Sequence, residues 1–326
     1  MHRCSAYYGN KYIQYNLQLY ERIARIDMNA DKRTKIAFLG GDMRLASALK
    51  RLSQSDNELF VWKVPSCTDG GNIHVSDTVY KAISGAAAVI LPLPSSTDGV
   101  TLNCVTDNNE SKTALTLIAD AIDEGCIIIG GKLPRTFCDY AALKGIKTFD
   151  YFESEEFQIK NAYTTAEAAL NIAMNNLTKN IRGSSFAITG YGRISKQLAK
   201  LLLALGGNVT VAARKDSDLA WARLEGCETV RLNGRDSVEK LCDGYDIIFN
   251  TVPSWLFDEQ FLKKVNKKTL IIELASAPGG IDISEAKKQK SNVLWAASLP
   301  GKYAPESAGE LIGECIEGIM AAEVKR

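Results

Sequence analysis

Residues 184–215 constrain the fold of this chain more than any other stretch, and they read SSFAITGYGRISKQLAKLLLALGGNVTVAARK. A short apolar run leads into the glycine turn GYGRIS, and an amphipathic, leucine-rich segment follows it up to a pair of glycines. A second apolar run, VTVAA, then ends on two basic residues. These patterns predict a strand, a tight turn, a helix and a second strand. The stretch is therefore interpreted as the first βαβ unit of a dinucleotide-binding fold.

The glycine turn predicts where a dinucleotide would bind. Gly190 allows a tight turn, and Gly192 lets the backbone approach a pyrophosphate because it has no Cβ. The helix that follows offers free N–H groups and the positive end of its dipole to that anion. The alternative is a glycine turn in an α/β domain that binds no nucleotide. The residues of the turn predicted to contact the cofactor are Gly190, Tyr191, Gly192, Arg193 and Ile194.

The end of the second strand indicates which dinucleotide is bound. An NAD site usually has Asp or Glu there for the ribose hydroxyls, whereas an NADP site supplies a cation for the 2′-phosphate. Here Arg214 and Lys215 come directly after the strand. Two cations suit a phosphate better than a diol, and the guanidinium of arginine can bind it through two parallel hydrogen bonds. The sequence predicts NADP, with NAD as the alternative cofactor and a solvated strand end as the alternative interpretation.

The totals exclude several classes of protein. A chain of 326 residues suits two domains, and a net charge of +1 gives no argument for nucleic acid. Its eight cysteines show no paired spacing, and its two histidines, His2 and His74, are too few for a histidine-rich metal site. No segment approaches the about 20 apolar residues of a membrane span, and the N-terminus has no signal-peptide pattern. We expect a cytoplasmic protein with no metal, no nucleic-acid partner and no membrane partner.

Two α/β domains of Rossmann-like, doubly wound parallel sheet are predicted. Residues 1–34 are treated as an N-terminal extension, with a helix near 15–26. A flavodoxin-like substrate domain spans 35–155, with five strands predicted at 35–39, 60–64, 86–91, 126–129 and 148–150. The nucleotide domain spans 156–304 and begins with a long linking helix, 156–180. A last helix, 305–326, is predicted to return to the first domain.

Loops after later strands of the second domain are expected to complete the cofactor site, because ligands bind beyond the carboxyl ends of parallel strands. The loop residues predicted to contact the cofactor are Asn250, Thr251, Val252, Pro253, Ala275, Ser276, Leu299 and Pro300.

Several strings resemble the family formed by the A subunit of dipicolinate synthase. They include KIAFLGGDMR at 35–44, LPLPSSTDGV at 91–100, ELASAPGGID at 273–282 and LPGKYAPESAG at 299–309. The resemblance runs from about residue 35 to the end of the chain. It implies an NAD(P)-dependent oxidoreductase acting on CH–CH bonds in a branch of the lysine pathway. Such an enzyme aromatises a dihydro- or hydroxytetrahydrodipicolinate to pyridine-2,6-dicarboxylate in the mother cell of a sporulating bacterium.

The resemblance also implies partners and a substrate site. The partners are a small dicarboxylate substrate and the flavoprotein-like B subunit of dipicolinate synthase; a homo-oligomer is left open. Two carboxylates require cations, hydroxyls and backbone N–H groups, which loops between the domains are expected to supply. Lys302 is the candidate for handling a proton or pairing with a carboxylate. The other predicted substrate-binding residues are Arg44, Ser95, Ser96 and Thr97, with Lys132, Arg135 and Tyr303 as further contributors.

Two rival functions remain open. A 2-hydroxyacid or alanine dehydrogenase would share the fold, but the first of these uses a histidine as acid and base. The string LPGKYAPESAG, at the expected position, has no histidine. The second rival is a non-catalytic NADP-binding subunit whose chemistry resides in a partner.

Overall fold

The computed structural model describes residues 33–105 and 112–323. They form two compact units. One comprises the residues up to Tyr151 together with those from Ile312 onward, and the other runs from Phe152 to Leu311. The chain thus divides at 151/152 and 311/312, where the predicted domain boundaries are 155/156 and 304/305. The helix predicted near 15–26 lies outside the described residues.

The first unit contains one parallel sheet in the order β3-β2-β1-β4-β5-β6. Its strands are β1 (Lys35–Leu39), β2 (Glu58–Trp62), β3 (Ile73–Val75), β4 (Ala88–Ile90), β5 (Ile127–Gly130) and β6 (Thr148–Asp150). The helices between them are α1 (Met43–Leu52), α2 (Val79–Ile83), α3 (Leu115–Ala121) and α4 (Arg135–Leu143).

The flavodoxin-like order predicted for this unit is wrong. A flavodoxin sheet has the order 2-1-3-4-5, whereas the observed order is the one typical of Rossmann domains. The difference comes from β3, a three-residue edge strand that pairs in parallel with β2. Its sequence, IHV, is short, half exposed and interrupted by a histidine, so it lacks the apolar run that predicts a buried strand.

The second unit repeats the same architecture around the order β12-β11-β10-β7-β8-β9. Its strands are β7 (Ser185–Thr189), β8 (Asn208–Ala213), β9 (Glu228–Arg231), β10 (Ile247–Asn250), β11 (Leu270–Glu273) and β12 (Val293–Trp295). All are parallel. Two Rossmann-like doubly wound sheets are therefore present, which confirms the predicted fold class.

The second unit also supplies most of the helices. They are α5 (Glu155–Asn176), α6 (Arg193–Ala204), α7 (Asp216–Leu224), α8 (Arg235–Glu239), α9 (Glu259–Lys264), α10 (Ile283–Lys288) and α11 (Leu299–Tyr303). The last helix, α12 (Pro305–Glu323), begins in this unit, and its residues from Ile312 belong to the first. The linking helix α5 ends before the predicted residue 180, because Leu177 already has extended backbone.

Burial in the second unit follows the strand and helix patterns. The inner strand β7 is apolar on both faces, and Phe186, Ala187 and Ile188 are fully buried. On one face, α6 packs Leu198, Ala199 and Leu202 against the sheet, while its charged residues face solvent. The strand order reverses between β7 and β10, and this reversal opens a crevice at their carboxyl ends. No helix within 33–105 or 112–323 is long and apolar enough to cross a membrane.

Candidate dinucleotide-binding site

The turn after β7 strongly favours glycine at its first position. Gly190 has a φ of +80°, a conformation that residues with a side chain rarely adopt. A Cβ at this position would lie 2.9 Å from Thr251 Oγ1 and 3.0 Å from Val252 Cγ2. The loop that follows β10 therefore packs directly against the turn.

The helix α6 begins at Gly192 without a side-chain cap. Gly192 is its N-cap residue and has no side chain with which to accept a hydrogen bond from the N–H groups of the first turn. A Cβ at Gly192 would meet no described atom within 4 Å, so the space above this helix end is open. The first N–H groups of a helix have no partner within it and readily bind a phosphate. This arrangement fits the pyrophosphate of a dinucleotide.

The hydroxyls of Thr251 and Ser195 hold the turn after β7 in place through hydrogen bonds. Thr251 Oγ1 donates to the carbonyl oxygen of Thr189 at 2.7 Å and lies 2.8 Å from Ser195 Oγ. Ser195 is fully buried, so a small side chain is required where the usual pattern has its third glycine.

A cavity of about 400 Å³ opens beside the turn. Its lining includes Gly190 and Ala213, and it extends over Arg214 and Lys215 towards Leu232 and Trp255. Sequence reasoning identified Gly190, Arg214 and Lys215 as cofactor residues, and it missed Ala213, Leu232 and Trp255. The signal available in the sequence was a tryptophan shortly after the end of a predicted strand. In the structure Trp255 is 61% exposed.

Charges in this cavity favour an anion near Arg214. Two of the lining carboxylates already have cations: Asp258 pairs with Arg235 at 2.5 Å, and Glu239 pairs with Lys264 at 2.7 Å. Arg214 and Lys215 are exposed and form no ion pair with any residue in the described part of the chain. Two cations therefore remain available at the end of β8, beside the third lining carboxylate, Asp218.

The side chain of Tyr191 does not face the cavity, contrary to the prediction. Its ring is 5% exposed and packs in the apolar core, and its hydroxyl donates to Glu225 Oε2 at 2.7 Å. Burial, together with this hydrogen bond to Glu225, raises the pKa of the Tyr191 hydroxyl. Only the backbone of Tyr191 is left to contact a ligand.

Asn250 is likewise a structural residue, contrary to the prediction. It is fully buried at the end of β10, and its Nδ2 donates to both carboxylate oxygens of Glu273, at 2.9 and 2.8 Å. Its Oδ1 accepts hydrogen bonds from the hydroxyl of Thr189 and from the N–H of Val252. The side-chain amide of Asn250 therefore has all its hydrogen-bonding groups occupied and is not available to a cofactor. Sequence reasoning missed Glu273, whose carboxylate is the centre of this network.

The other predicted cofactor residues are placed in different ways. Val252 lines the cavity, Ile194 packs half buried on the apolar core, and Pro253 and Ser276 are exposed. Arg193 donates to both oxygens of Glu155, at 2.9 and 2.6 Å.

Three further residues predicted to contact the cofactor are buried. Ala275 uses its N–H to bond Glu273, while Leu299 and Pro300 lie in the buried part of α11. Their side chains act in packing, because a buried aliphatic group has no open face for a ligand.

In the first unit, the predicted substrate-binding Arg44 is an internal residue. It is 7% exposed, and its Nε and Nη2 bond Asp42, with Nη2 at 2.7 Å from Oδ2. Nη2 also donates to the carbonyl oxygen of Leu93. Arg44 thus fixes the loop after β4 to the start of α1, and binding a ligand carboxylate is not its evident role.

Ser95, in the same loop, is also internal, which corrects its prediction as a substrate-binding residue. It is fully buried, its hydroxyl donates to the carbonyl oxygen of Lys132 at 3.2 Å, and its N–H donates to Gly131. Ser96 donates to Asp98 at 2.9 Å, and Thr97 is exposed. Hydrogen bonds from Thr101 and its neighbours hold the pKa of Asp98 well below its usual range. Of the three predicted hydroxyls, only those of Ser96 and Thr97 reach the surface.

The remaining residues predicted to bind substrate differ in their exposure and in their hydrogen-bond or ion-pair partners. Lys302 and Tyr303 are exposed on α11, and Arg135 is paired with Asp139 at 3.1 Å. Lys132 has a φ of +52°, and its N–H donates to Asp150 Oδ1.

The glycine turn, the open helix end and the two doubly wound sheets are typical of a dinucleotide-binding protein of the α/β dehydrogenase class. In agreement, residues 155–279 match the NAD-binding domain family of the D-isomer specific 2-hydroxyacid dehydrogenases. Residues 35–152 match the family of N-terminal domains from the A subunit of dipicolinate synthase. The chain is 30% identical over 294 residues to the dipicolinate synthase A subunit of Bacillus subtilis, covering 88% of this chain and 96% of that protein. The chain belongs to this dipicolinate synthase family, which confirms the resemblance found in the sequence.

Solved structures show the same relationship. The A chain of dipicolinate synthase from Bacillus subtilis aligns with a TM-score of 0.77 at 27% identity, over 90% of this chain and 98% of that one. The A subunit of dipicolinate synthase from Bacillus halodurans aligns with a TM-score of 0.78 at 23% identity, over 88% of this chain and 97% of that one. The second likeness supports the fold alone.

Proposed function

We propose that this chain is the dehydrogenase subunit of a dipicolinate synthase. It oxidises a dihydrodipicolinate to pyridine-2,6-dicarboxylate with NADP⁺, in the mother cell during sporulation. The observation that carries the proposal is the relationship to the dipicolinate synthase A subunit over 88% of the chain. The open N-terminus of α6 and the cavity of about 400 Å³ beside it support the proposal, because such an oxidation needs a place for a dinucleotide.

The preference for NADP rests on the charge at the end of β8. Arg214 and Lys215 line the cavity and have no carboxylate partners among the described residues. A 2′-phosphate would meet both cations, and charge-assisted hydrogen bonds of this kind are about twice as strong as neutral ones. A ribose diol would instead be served by a carboxylate at this position.

The reaction balances as a two-electron oxidation. A dihydrodipicolinate ring loses a hydride from one saturated carbon and a proton from the adjacent one, which gives the aromatic pyridine. The hydride and its two electrons reduce the nicotinamide ring, and the proton goes to a base or to water. A 4-hydroxylated substrate also loses one water molecule. Because aromatisation itself favours the reaction, the protein needs chiefly to orient the substrate and to accept a proton.

Roles for individual residues follow from their exposure. Ser96 and Thr97 have accessible hydroxyls and are proposed to bind a substrate carboxylate. Lys302, exposed on α11, is proposed to hold or move the proton. Arg44 and Ser95 are proposed instead to shape the loop through their internal hydrogen bonds.

The absence of a histidine separates this proposal from 2-hydroxyacid oxidation. Residues 152–311, which form the nucleotide-binding unit, contain no histidine. His74 lies in the first unit and bonds Glu58 at 2.6 Å. The acid–base group that a 2-hydroxyacid dehydrogenase takes from its nucleotide domain is therefore missing from this sequence.

The flavoprotein-like B subunit of dipicolinate synthase is proposed as the partner, since a relative named for its A subunit implies a second one. A coupled assay tests the proposal. The purified chain is mixed with dihydrodipicolinate synthase, the two substrates of that enzyme and NADP⁺, and the formation of NADPH and dipicolinate is followed by ultraviolet absorbance. We expect both products to form in equal amounts, with the B subunit raising the rate.

The controls in this assay separate the alternatives. Products that appear only when the B subunit is present would make this chain a cofactor-binding half of a two-part enzyme. No dipicolinate under either condition would contradict the proposed reaction. Omitting dihydrodipicolinate synthase gives the background.

A further inference from the structure

The carboxylate of Glu273 lies fully buried at the carboxyl end of β11, in register with Asn250 on β10. It accepts hydrogen bonds from two backbone N–H groups: that of Ala275 to Oε1 and that of Gly280 to Oε2, each at 2.9 Å. The side chain of Asn250 donates to both oxygens. Every hydrogen-bond partner of this carboxylate is a donor.

This carboxylate joins the two loops that follow β10 and β11. Gly280 is packed so closely that a Cβ there would lie 2.6 Å from Asn250 Nδ2 and 2.8 Å from the carbonyl oxygen of Ser254. The carbonyl oxygen of Gly280 in turn accepts from the N–H groups of Leu256 and Phe257, at 3.0 and 2.9 Å. Residues 250–257 and 275–280 are thus held together around one buried carboxylate.

The surroundings of Glu273 fit the ionised form. A neutral carboxylic acid would turn its O–H towards N–H donors, whereas a carboxylate accepts from all of them. Burial raises the pKa of Glu273 above its usual value, and the hydrogen bonds from Gly280, Asn250 and Ala275 offset that rise only in part. No cation of the described residues pairs with it. A buried carboxylate with donors but no counter-charge remains attractive to a cation placed nearby.

We propose that Glu273 makes the site prefer the oxidised cofactor, because its carboxylate attracts the positively charged nicotinamide ring of NADP⁺ and not the neutral ring of NADPH. The proposal rests on the proposed function for the presence of this cofactor. The carboxyl ends of β7, β10 and β11 border the crevice in which a dinucleotide binds in this fold. A preference for NADP⁺ suits an enzyme that removes hydride from its substrate, since the reduced product is released more readily.

The dissociation constants of NADP⁺ and NADPH, measured by calorimetry for the wild type and Glu273→Gln, test this role. The glutamine keeps the length of the side chain and removes the charge. We expect NADP⁺ binding to weaken about tenfold and NADPH binding to change by less than about twofold. The double variant N250D/E273Q returns one negative charge to the same network, with the glutamine amide donating to the introduced aspartate. It should restore the preference for NADP⁺.

Equal weakening of both cofactors in Glu273→Gln would overturn the proposal and leave Glu273 a purely structural residue. If Glu273→Gln fails to fold, the cofactor affinities of N250D/E273Q test the proposal instead. Loss of the preference for NADP⁺ in this variant, which retains the negative charge, would overturn the proposal. These binding constants do not depend on substrate. A wild type that prefers NADP⁺ but forms no dipicolinate would contradict the proposed reaction alone, whereas a wild type that binds neither cofactor would overturn both.

Discussion

Replacing Gly192 with alanine is expected to weaken NADP⁺ binding about a hundredfold while leaving the thermal unfolding midpoint unchanged. The backbone of Gly192, with φ −86° and ψ −164°, suits an alanine. The added methyl group would meet no described atom within 4 Å, so folding is not affected. The same methyl group would occupy the space through which a pyrophosphate approaches the N–H groups of α6. Calorimetric binding and thermal unfolding of the same samples measure the two effects.

A matched control for this variant is Gly318→Ala. Gly318 lies in α12, and a Cβ there also meets no described atom within 4 Å. This control should bind NADP⁺ as the wild type does. Retention of wild-type affinity by Gly192→Ala would show that the pyrophosphate does not bind at this turn.

Arg214→Ala is expected to weaken NADP⁺ binding about thirtyfold and NAD⁺ binding by less than about threefold. Arg214 lines the cavity, forms no ion pair within the described residues and follows the strand whose end contacts the adenosine ribose in this fold. The two cofactors differ only in the 2′-phosphate, so the ratio of their dissociation constants isolates that contact.

Arg182→Ala is the control for charge. Arg182 is an exposed arginine of the same unit outside the cavity lining, and its removal changes the net charge equally. It should leave both affinities unchanged. Equal losses for NADP⁺ and NAD⁺ in Arg214→Ala would contradict the phosphate assignment and would direct attention to Asp218, a cavity carboxylate suited to a ribose diol.

The fold class could be predicted from the sequence because it depends on local patterns. Buried parallel strands have continuous apolar runs, and α6 has an amphipathic period that ends at paired glycines. The turn at Gly190 could also be predicted, since its positive φ and the absence of a Cβ are properties of the residue itself.

The edge strand β3 and the short helix α11 could not be predicted in this way. Edge strands of three residues contain too few positions to show a period, and their pairing is decided by the neighbouring strand. The helix α11 has five residues and includes Pro300 and Gly301, which are typical of loops.

Side-chain direction at the site is the part that the sequence left undetermined. Tyr191 and Asn250 occupy positions next to a ligand site in the chain, yet both point inward, towards Glu225 and Glu273. Those partners lie far along the sequence and are brought together only by the sheet. Arg44 is similar, because its partner carbonyl at Leu93 lies on a different loop.

The central claim is that this chain moves hydride from a ring dicarboxylate to NADP⁺. Its most direct test supplies a dihydrodipicolinate with deuterium on both saturated ring carbons and examines the recovered NADPH by mass spectrometry. We predict one deuterium in the nicotinamide ring for each dipicolinate formed, with one more released to solvent and the rest retained on the pyridine ring. Dipicolinate that forms while the recovered NADPH carries no deuterium would contradict the claim and would place the oxidation outside this chain.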